Sequence, residues 1–244
     1  VSGQHRHLQL DHWRAIEKMC RRADAVICTT VEQQCDIENF CSNVHIILDI
    51  HAAVAQRAKT DYTAGREFRL VWEGLPVTAD ALLLIDDALR AVGKTHPVSL
   101  HVVTDPEYFR FLGKYGDLGV PVTRHEWHES TCAEIICACD TALIPLNLQD
   151  PFAAGKPENK LLLFWRMGMP AVVAASPAYR RAMAGAGLDL VCQTRDDWQQ
   201  HIERLITDPA LRERAGTRGR AYAETHFSES QLLSRWDAVF ATLA

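Results

Sequence analysis

The chain has no long apolar run, no basic block and no internal repeat, and each absence removes a class of function. Its apolar stretches, such as Leu161 to Trp165 and Ala171 to Ala175, are of core length. A membrane-spanning helix needs roughly 20 such residues, so none is expected. The 26 basic side chains, against 31 acidic ones for a net charge of -5, form no patch of the kind that grips a phosphate backbone, which argues against nucleic acid as a partner. Val1-Ser2-Gly3-Gln4-His5 offers no charged leader, no hydrophobic stretch and no starting Met. It is read as a trimmed start without a secretory signal.

What is present describes a folded protein. Of 244 residues, 48% are apolar, enough to bury the core of one large domain, or of one domain with part of a second. The cysteines, at 20, 28, 35, 41, 132, 137, 139 and 192, mostly fall inside helical or strand patterns, so reduced cytosolic thiols are expected rather than a disulfide set. No metal is expected either. Cys137 and Cys139 on one helix point apart, which spoils the cluster they would otherwise form with His125 or His128.

Short β-rich runs recur along the chain: Ala25 to Thr29, His45 to Asp49, Phe68 to Glu73, Ser99 to Thr104, Val122 to Trp127, Ala142 to Leu146, Ala171 to Ala175 and Leu188 to Cys192. Between them lie stretches of helical period. Examples are Ala81, Leu82, Ile85, Leu89 and Val92; Cys132, Ile135, Ile136 and Cys139; and Trp198, Ile202 and Ile206. Such alternation predicts an α/β fold, a doubly wound parallel sheet with helices on both faces. The polar, aperiodic segment 53–67 is the expected junction. It divides a remnant domain and linker (1–60) from a complete unit of six strands (61–227), followed by a C-terminal helix (228–244) whose Ser228 and Gln231 are spaced as a capping box.

In such a sheet ligands bind beyond the carboxyl ends of the strands, which selects the candidate residues. Gly74 follows the first strand of the complete unit, as a turn residue or as an opening for close backbone approach. Trp127 follows the third, to stack on a nucleobase or to pack between strand and helix. After Ala142 to Leu146 comes a polar loop, 147–155, and then Lys156-Pro157-Glu158-Asn159-Lys160 at a helix start. A helix N-terminus is already partly positive. Lys156 and Lys160 beside it make sense if an anion such as a pyrophosphate fills the gap, a reading preferred to two ammonium groups extended into water. Gly168 is expected as a left-handed helix cap. Ser176 is read first as an N-cap and second as a phosphate donor. His51 is read as a hydrogen-bonded linker histidine.

Taken in order, several of these segments resemble one family, the retaining glycosyltransferases of the two-domain B-type fold often called family four. Ala23-Asp24-Ala25-Val26-Ile27-Cys28-Thr29-Thr30 looks like the strand that closes its acceptor-side domain. Val71-Trp72-Glu73-Gly74 looks like the start of its donor-side domain. Asp140-Thr141-Ala142-Leu143-Ile144-Pro145-Leu146, then Lys160-Leu161 with Gly168-Met169-Pro170-Ala171-Val172-Val173, are similar to its next two signatures. Trp198, Leu205 to Arg212 and Gly219-Arg220 are similar to its tail.

The resemblance implies a Rossmann-like C-terminal half of a B-type glycosyltransferase. Its donor would be a nucleotide diphosphate sugar, with Gly74 and Lys156 to Lys160 near the phosphates, Trp127 near the base, and Glu158, Asn159 and Ser176 close by. It also implies sugar transfer to a carbohydrate or lipid-linked hydroxyl in cell-surface polysaccharide or glycolipid assembly, with electrostatic stabilisation of the leaving phosphate and no obligatory metal or permanent cofactor. The setting expected is cytoplasmic, with peripheral contact at the inner membrane face. Two positions depart from the family pattern: Leu163 stands where a ribose-holding Glu is usual, and Leu75-Pro76-Val77-Thr78 lacks the usual cation. The family's acceptor domain is almost absent from the sequence, missing or on another chain, so the chain alone is expected to be inactive. A non-catalytic module on the same fold and a nucleotide-sugar epimerase are the alternatives.

Overall fold

The computed structural model describes residues 12–105 and 118–243. The described residues form two compact units, one of those up to Leu48 together with those from Glu229 on, the other of those from Asp49 to Ser228.

The smaller unit opens with α1 (His12–Cys20), β1 (Val26–Cys28), α2 (Val31–Ile37) and β2 (Val44–Ile46). The strands pair in parallel, Val26 opposite Val44 and Cys28 opposite Ile46. Sequence chemistry starts α2. Thr30 Oγ1 accepts from the Gln33 amide at 3.1 Å, and Gln33 Oε1 accepts from the Thr29 amide at 2.9 Å, a variant of the reciprocal capping box.

In the larger unit come β3 (Phe68–Glu73), a 3-10 helix (Pro76–Ile85), α3 (Asp86–Gly93), β4 (Val98–Thr104), β5 (Val122–Glu126), α4 (Glu129–Cys137) and β6 (Thr141–Ile144). They are followed by α5 (Pro151–Ala154), α6 (Asn159–Arg166), β7 (Ala171–Ala174), α7 (Pro177–Gly185), β8 (Val191–Cys192), α8 (Arg195–Thr207) and α9 (Pro209–His226). Helix α10 (Glu229–Ala241) returns the chain to the smaller unit. There Asn43 Nδ2 donates to Thr242 Oγ1 at 2.9 Å and to the Asp24 carbonyl at 2.7 Å.

Six strands form one parallel sheet in the order β5-β4-β3-β6-β7-β8. Each of the eight β-rich runs of the sequence overlaps one strand, the first two being β1 and β2 of the smaller unit and the other six those of this sheet, and the expected α/β, doubly wound sheet is what forms. Leu70, Val71, Leu100, Ala142, Leu143, Val172 and Val173 are fully buried, as short apolar strands covered on both faces require.

Two stretches fold differently from expectation. The helical period from Ala81 to Val92 is split between the 3-10 helix and α3. The buried residues of the first part, Ala79, Leu82 and Ile85, are spaced by three, which suits three residues per turn rather than 3.6. The polar loop 147–155 contains one helical turn, α5. Asp150 caps it by accepting from the Phe152 amide at 3.0 Å, and Pro151 supplies a helical φ at its first position.

The aperiodic segment before β3 is tied down at the amino end of the sheet. Lys59 Nζ donates to the carbonyls of Cys139 (2.8 Å) and Cys137 (3.3 Å), and Tyr62 Oη donates to the Gly168 carbonyl at 2.9 Å. Gly168 has φ 66°, the left-handed end expected for α6, with Met169 N returning to the Phe164 carbonyl at 3.0 Å. From α9, the buried Arg212 guanidinium donates to the Tyr62 carbonyl at 2.9 Å and the Ile206 carbonyl at 3.0 Å.

Candidate active site

The strand order reverses between β3 and β6. The chain leaves β3 for β4 and β5 on one side and returns to β6 on the other, so the connections beyond these two carboxyl ends diverge and leave a crevice. Residues from β3 and α6 meet there.

Gly74 closes β3. Its amide donates to the Val103 carbonyl at 3.2 Å, and its carbonyl accepts from Thr104 Oγ1 at 2.7 Å. A Cβ on Gly74 would run into Lys160 Nζ and lie 3.0 Å from the Trp72 ring. The space that glycine leaves open is therefore occupied by an ammonium group.

Lys160 is the second residue of α6 and reaches back across the strand end. Its Nζ donates to the Glu73 carbonyl, lies 3.9 Å from the Glu73 carboxylate and sits 4.9 Å from the centre of the Trp72 ring. Burial lowers its pKa and Lys156 pushes the same way, against Glu73, which raises it. Lys156 Nζ stands 5.8 Å from the Phe152 ring. Asn159 Oδ1 is buried without a hydrogen-bond partner. Glu158 occupies the N-cap of α6 without a side-chain cap bond. The first amides of any helix lack intrahelical acceptors, so this end combines backbone donors, an unused acceptor and two ammonium groups.

Trp127 follows β5 and continues its ladder, its amide donating to the Thr104 carbonyl at 2.9 Å. Trp127 is 37% exposed. The Cys132 thiol is pushed up to about 12, chiefly by burial and then by the Glu73 carboxylate.

Ser176 lies at the end of β7, fully buried, its Oγ accepting from the Tyr179 amide at 3.3 Å to cap α7. Glu158 lies near Tyr179 and Tyr222, both of which its charge pushes further up beyond the effect of burial. His51 has φ 47° and sits over its own turn, with Nδ1 3.5 Å from the Asp49 carboxylate. Leu163 is 6% exposed and packs into the core. The structure thus brings Gly74, Lys156, Asn159 and Lys160 together at one strand end, sets Trp127 at the end of β5 with its amide on the Thr104 carbonyl, and keeps Ser176 under the surface.

Trp72, Glu73, Thr104 and Cys132 were not among the residues singled out in the sequence. One signal was there: Glu73 is the acidic residue that ends the otherwise buried run Leu70-Val71-Trp72.

No protein-family model matches the chain, and no curated protein matches its sequence. Solved structures match its fold. WaaG, a glycosyltransferase involved in lipopolysaccharide biosynthesis, superposes with a TM-score of 0.66 at 17% identity, covering 87% of this chain and 62% of its own. HepE of Anabaena, solved in complex with UDP-glucose, gives 0.70 at 13% identity over 97% of this chain and 69% of its own. TarM of S. aureus, in a complex that includes UDP, gives 0.69 at 15% identity over 93% and 46%. The chain therefore shares the Rossmann-like α/β fold of the matched part of these structures. It spans between about half and two thirds of their length.

Proposed function

We propose that this chain is the nucleotide-sugar-binding portion of a retaining glycosyltransferase that moves a sugar onto a hydroxyl of a carbohydrate or lipid-linked acceptor in cell-surface polysaccharide or glycolipid synthesis. One observation carries the reading. At the point where the strand order reverses, a glycine-walled opening is filled by the ammonium of a lysine from a helix N-terminus. A diphosphate is what such an opening recognises.

In this reading Lys160, with Lys156 and the first amides of α6, takes the charge that develops on the leaving phosphate. Asn159 Oδ1 accepts from a hydroxyl or amide of the donor. Trp127 offers its exposed face to the base. Ser176 supports the end of β7 without touching the donor. Residues 49–228 form the donor domain, and the smaller unit is the share of an acceptor-side domain carried here, the rest being supplied elsewhere in the polypeptide or on another chain. Turnover needs that remainder; donor binding does not.

Thermal unfolding with UDP, GDP, ADP and dTDP tests the proposal. At about a hundred times its dissociation constant a ligand stabilises by roughly 2.7 kcal/mol, a rise of several degrees at this size. One nucleotide is expected to give that rise and Lys160→Ala to abolish it. A second reading, a non-catalytic module, is favoured by the core position of Leu163 where a ribose-holding Glu is usual. No rise with any of the four nucleotides would select it.

A further inference from the structure

The proposed site contains a charged group that donor binding does not need. Glu73 ends β3 with its carboxylate 15% exposed and 3.9 Å from Lys160 Nζ, while its own carbonyl accepts from the same ammonium. Main chain and side chain of one residue thus hold one cation. A carboxylate next to a phosphate site is unfavourable for the phosphate, since like charges at short range repel and do so more strongly in a partly dry crevice. It is favourable for the lysine, because an ammonium withdrawn from water without a counter-charge gives up its proton.

We propose that Glu73 is a positioning residue, an internal counter-ion that holds the Lys160 ammonium over Trp72 until the donor diphosphate takes its place. The inference rests on the nucleotide-sugar reading of the site. The groups facing Lys160 agree with it. From the loop before α6, Lys156 opposes its charge. From α4, the buried Cys132 next to Glu73 stays a neutral thiol. From β3, Glu73 supports the charge. Gly74 is the structural counterpart of this arrangement, because any larger residue would deny Lys160 its resting place.

The exchange has a consequence in two directions. Without the carboxylate the diphosphate no longer competes for Lys160, so binding near neutral pH tightens. Without it the ammonium is also easier to deprotonate, so binding fails at a lower alkaline pH.

The test is Glu73→Gln, titrated calorimetrically with UDP, GDP, ADP and dTDP in parallel from neutral to alkaline pH. Beside it run the parent chain and Glu73→Asp, a variant that keeps the charge. Expected for Glu73→Gln is affinity near pH 7 higher by roughly two- to fivefold, the scale of a partly exposed ion pair, together with an alkaline limit of binding moved to lower pH. Glu73→Asp should return both toward the parent. Weaker binding near pH 7, or an unmoved alkaline limit, would overturn the role of Glu73 while leaving the donor site standing. Failure of the parent chain to bind any of the four nucleotides would remove the nucleotide-sugar reading and this inference with it.

Discussion

The Lys160 ammonium stands where the side chain of any residue other than glycine at position 74 would stand. The two positions, 86 residues apart in sequence, therefore make one device: the strand end supplies the opening and the helix supplies the cation. Gly74→Ala tests the coupling. The added methyl displaces Lys160 and meets the Trp72 ring, so nucleotide binding should fall as far as in Lys160→Ala. Gly74 also has φ 158°, a conformation that L side chains rarely adopt, so the variant should lose about 1–3 kcal/mol of stability as well, and binding is compared well below its unfolding transition. Calorimetric titration and urea unfolding of the two variants side by side give both numbers. A Gly74→Ala protein that binds like the parent would show that Lys160 reaches the ligand from some other position.

The framework of this site was legible from sequence because its causes are local. Strands such as Val98–Thr104 and Ala171–Ala174 announce themselves as short buried runs. A lysine in the first turn of α6 contradicts the helix dipole and so draws notice. What escaped depends on tertiary approach. Glu73 carries no local sign that a lysine from α6 will lie across it. The hold of Lys59 on the carbonyls ending α4 joins residues 80 apart, and a polar, aperiodic segment offers no period from which to infer it. The 3-10 helix was hidden for another reason: apolar residues at Leu82, Leu83, Leu84 and Ile85 fit several periods at once.

Arg212 joins the tail of the larger unit to the start of its sheet. Buried to 2% exposure, it donates to the carbonyls of Tyr62, Leu205 and Ile206 and lies 5.7 Å from the Phe68 ring centre. Two of those carbonyls end α8 and have no intrahelical donor. Arg212→Ala leaves them without this donor and opens a void beside Phe68. The expected cost is about 3 kcal/mol of unfolding free energy, read from urea denaturation. Arg212→Lys should recover only part of it, since one ammonium cannot span three acceptors in a guanidinium's fixed fork. Nucleotide affinity, measured below the unfolding transition, should not change, because these contacts lie at the amino end of the sheet.

At the β4–β5 side of the sheet, His101 and His125 form a pair with a defined pH response. His101 Nδ1 and His125 Nε2 are 2.8 Å apart and the rings are stacked, with centres 5.1 Å apart. One ring must donate and the other accept, which two imidazolium rings cannot do. Burial lowers both pKa values, and for His101 the neighbouring His125 and Arg69 lower it further against Glu67. Above the unfolded value of about 6.5 both rings are neutral in both states and contribute no pH dependence. Below it the unfolded chain takes up protons that the native pair resists, so stability is lost as the pH falls from about 6.5 toward the lowered native values. Urea midpoints at several pH values between about 7.5 and 5 should show that decline. In His101→Gln with His125→Gln it should be shallower, the remainder including His201, whose pKa burial and Arg204 also lower. A double variant with the full slope of the parent would place the acid sensitivity outside this pair.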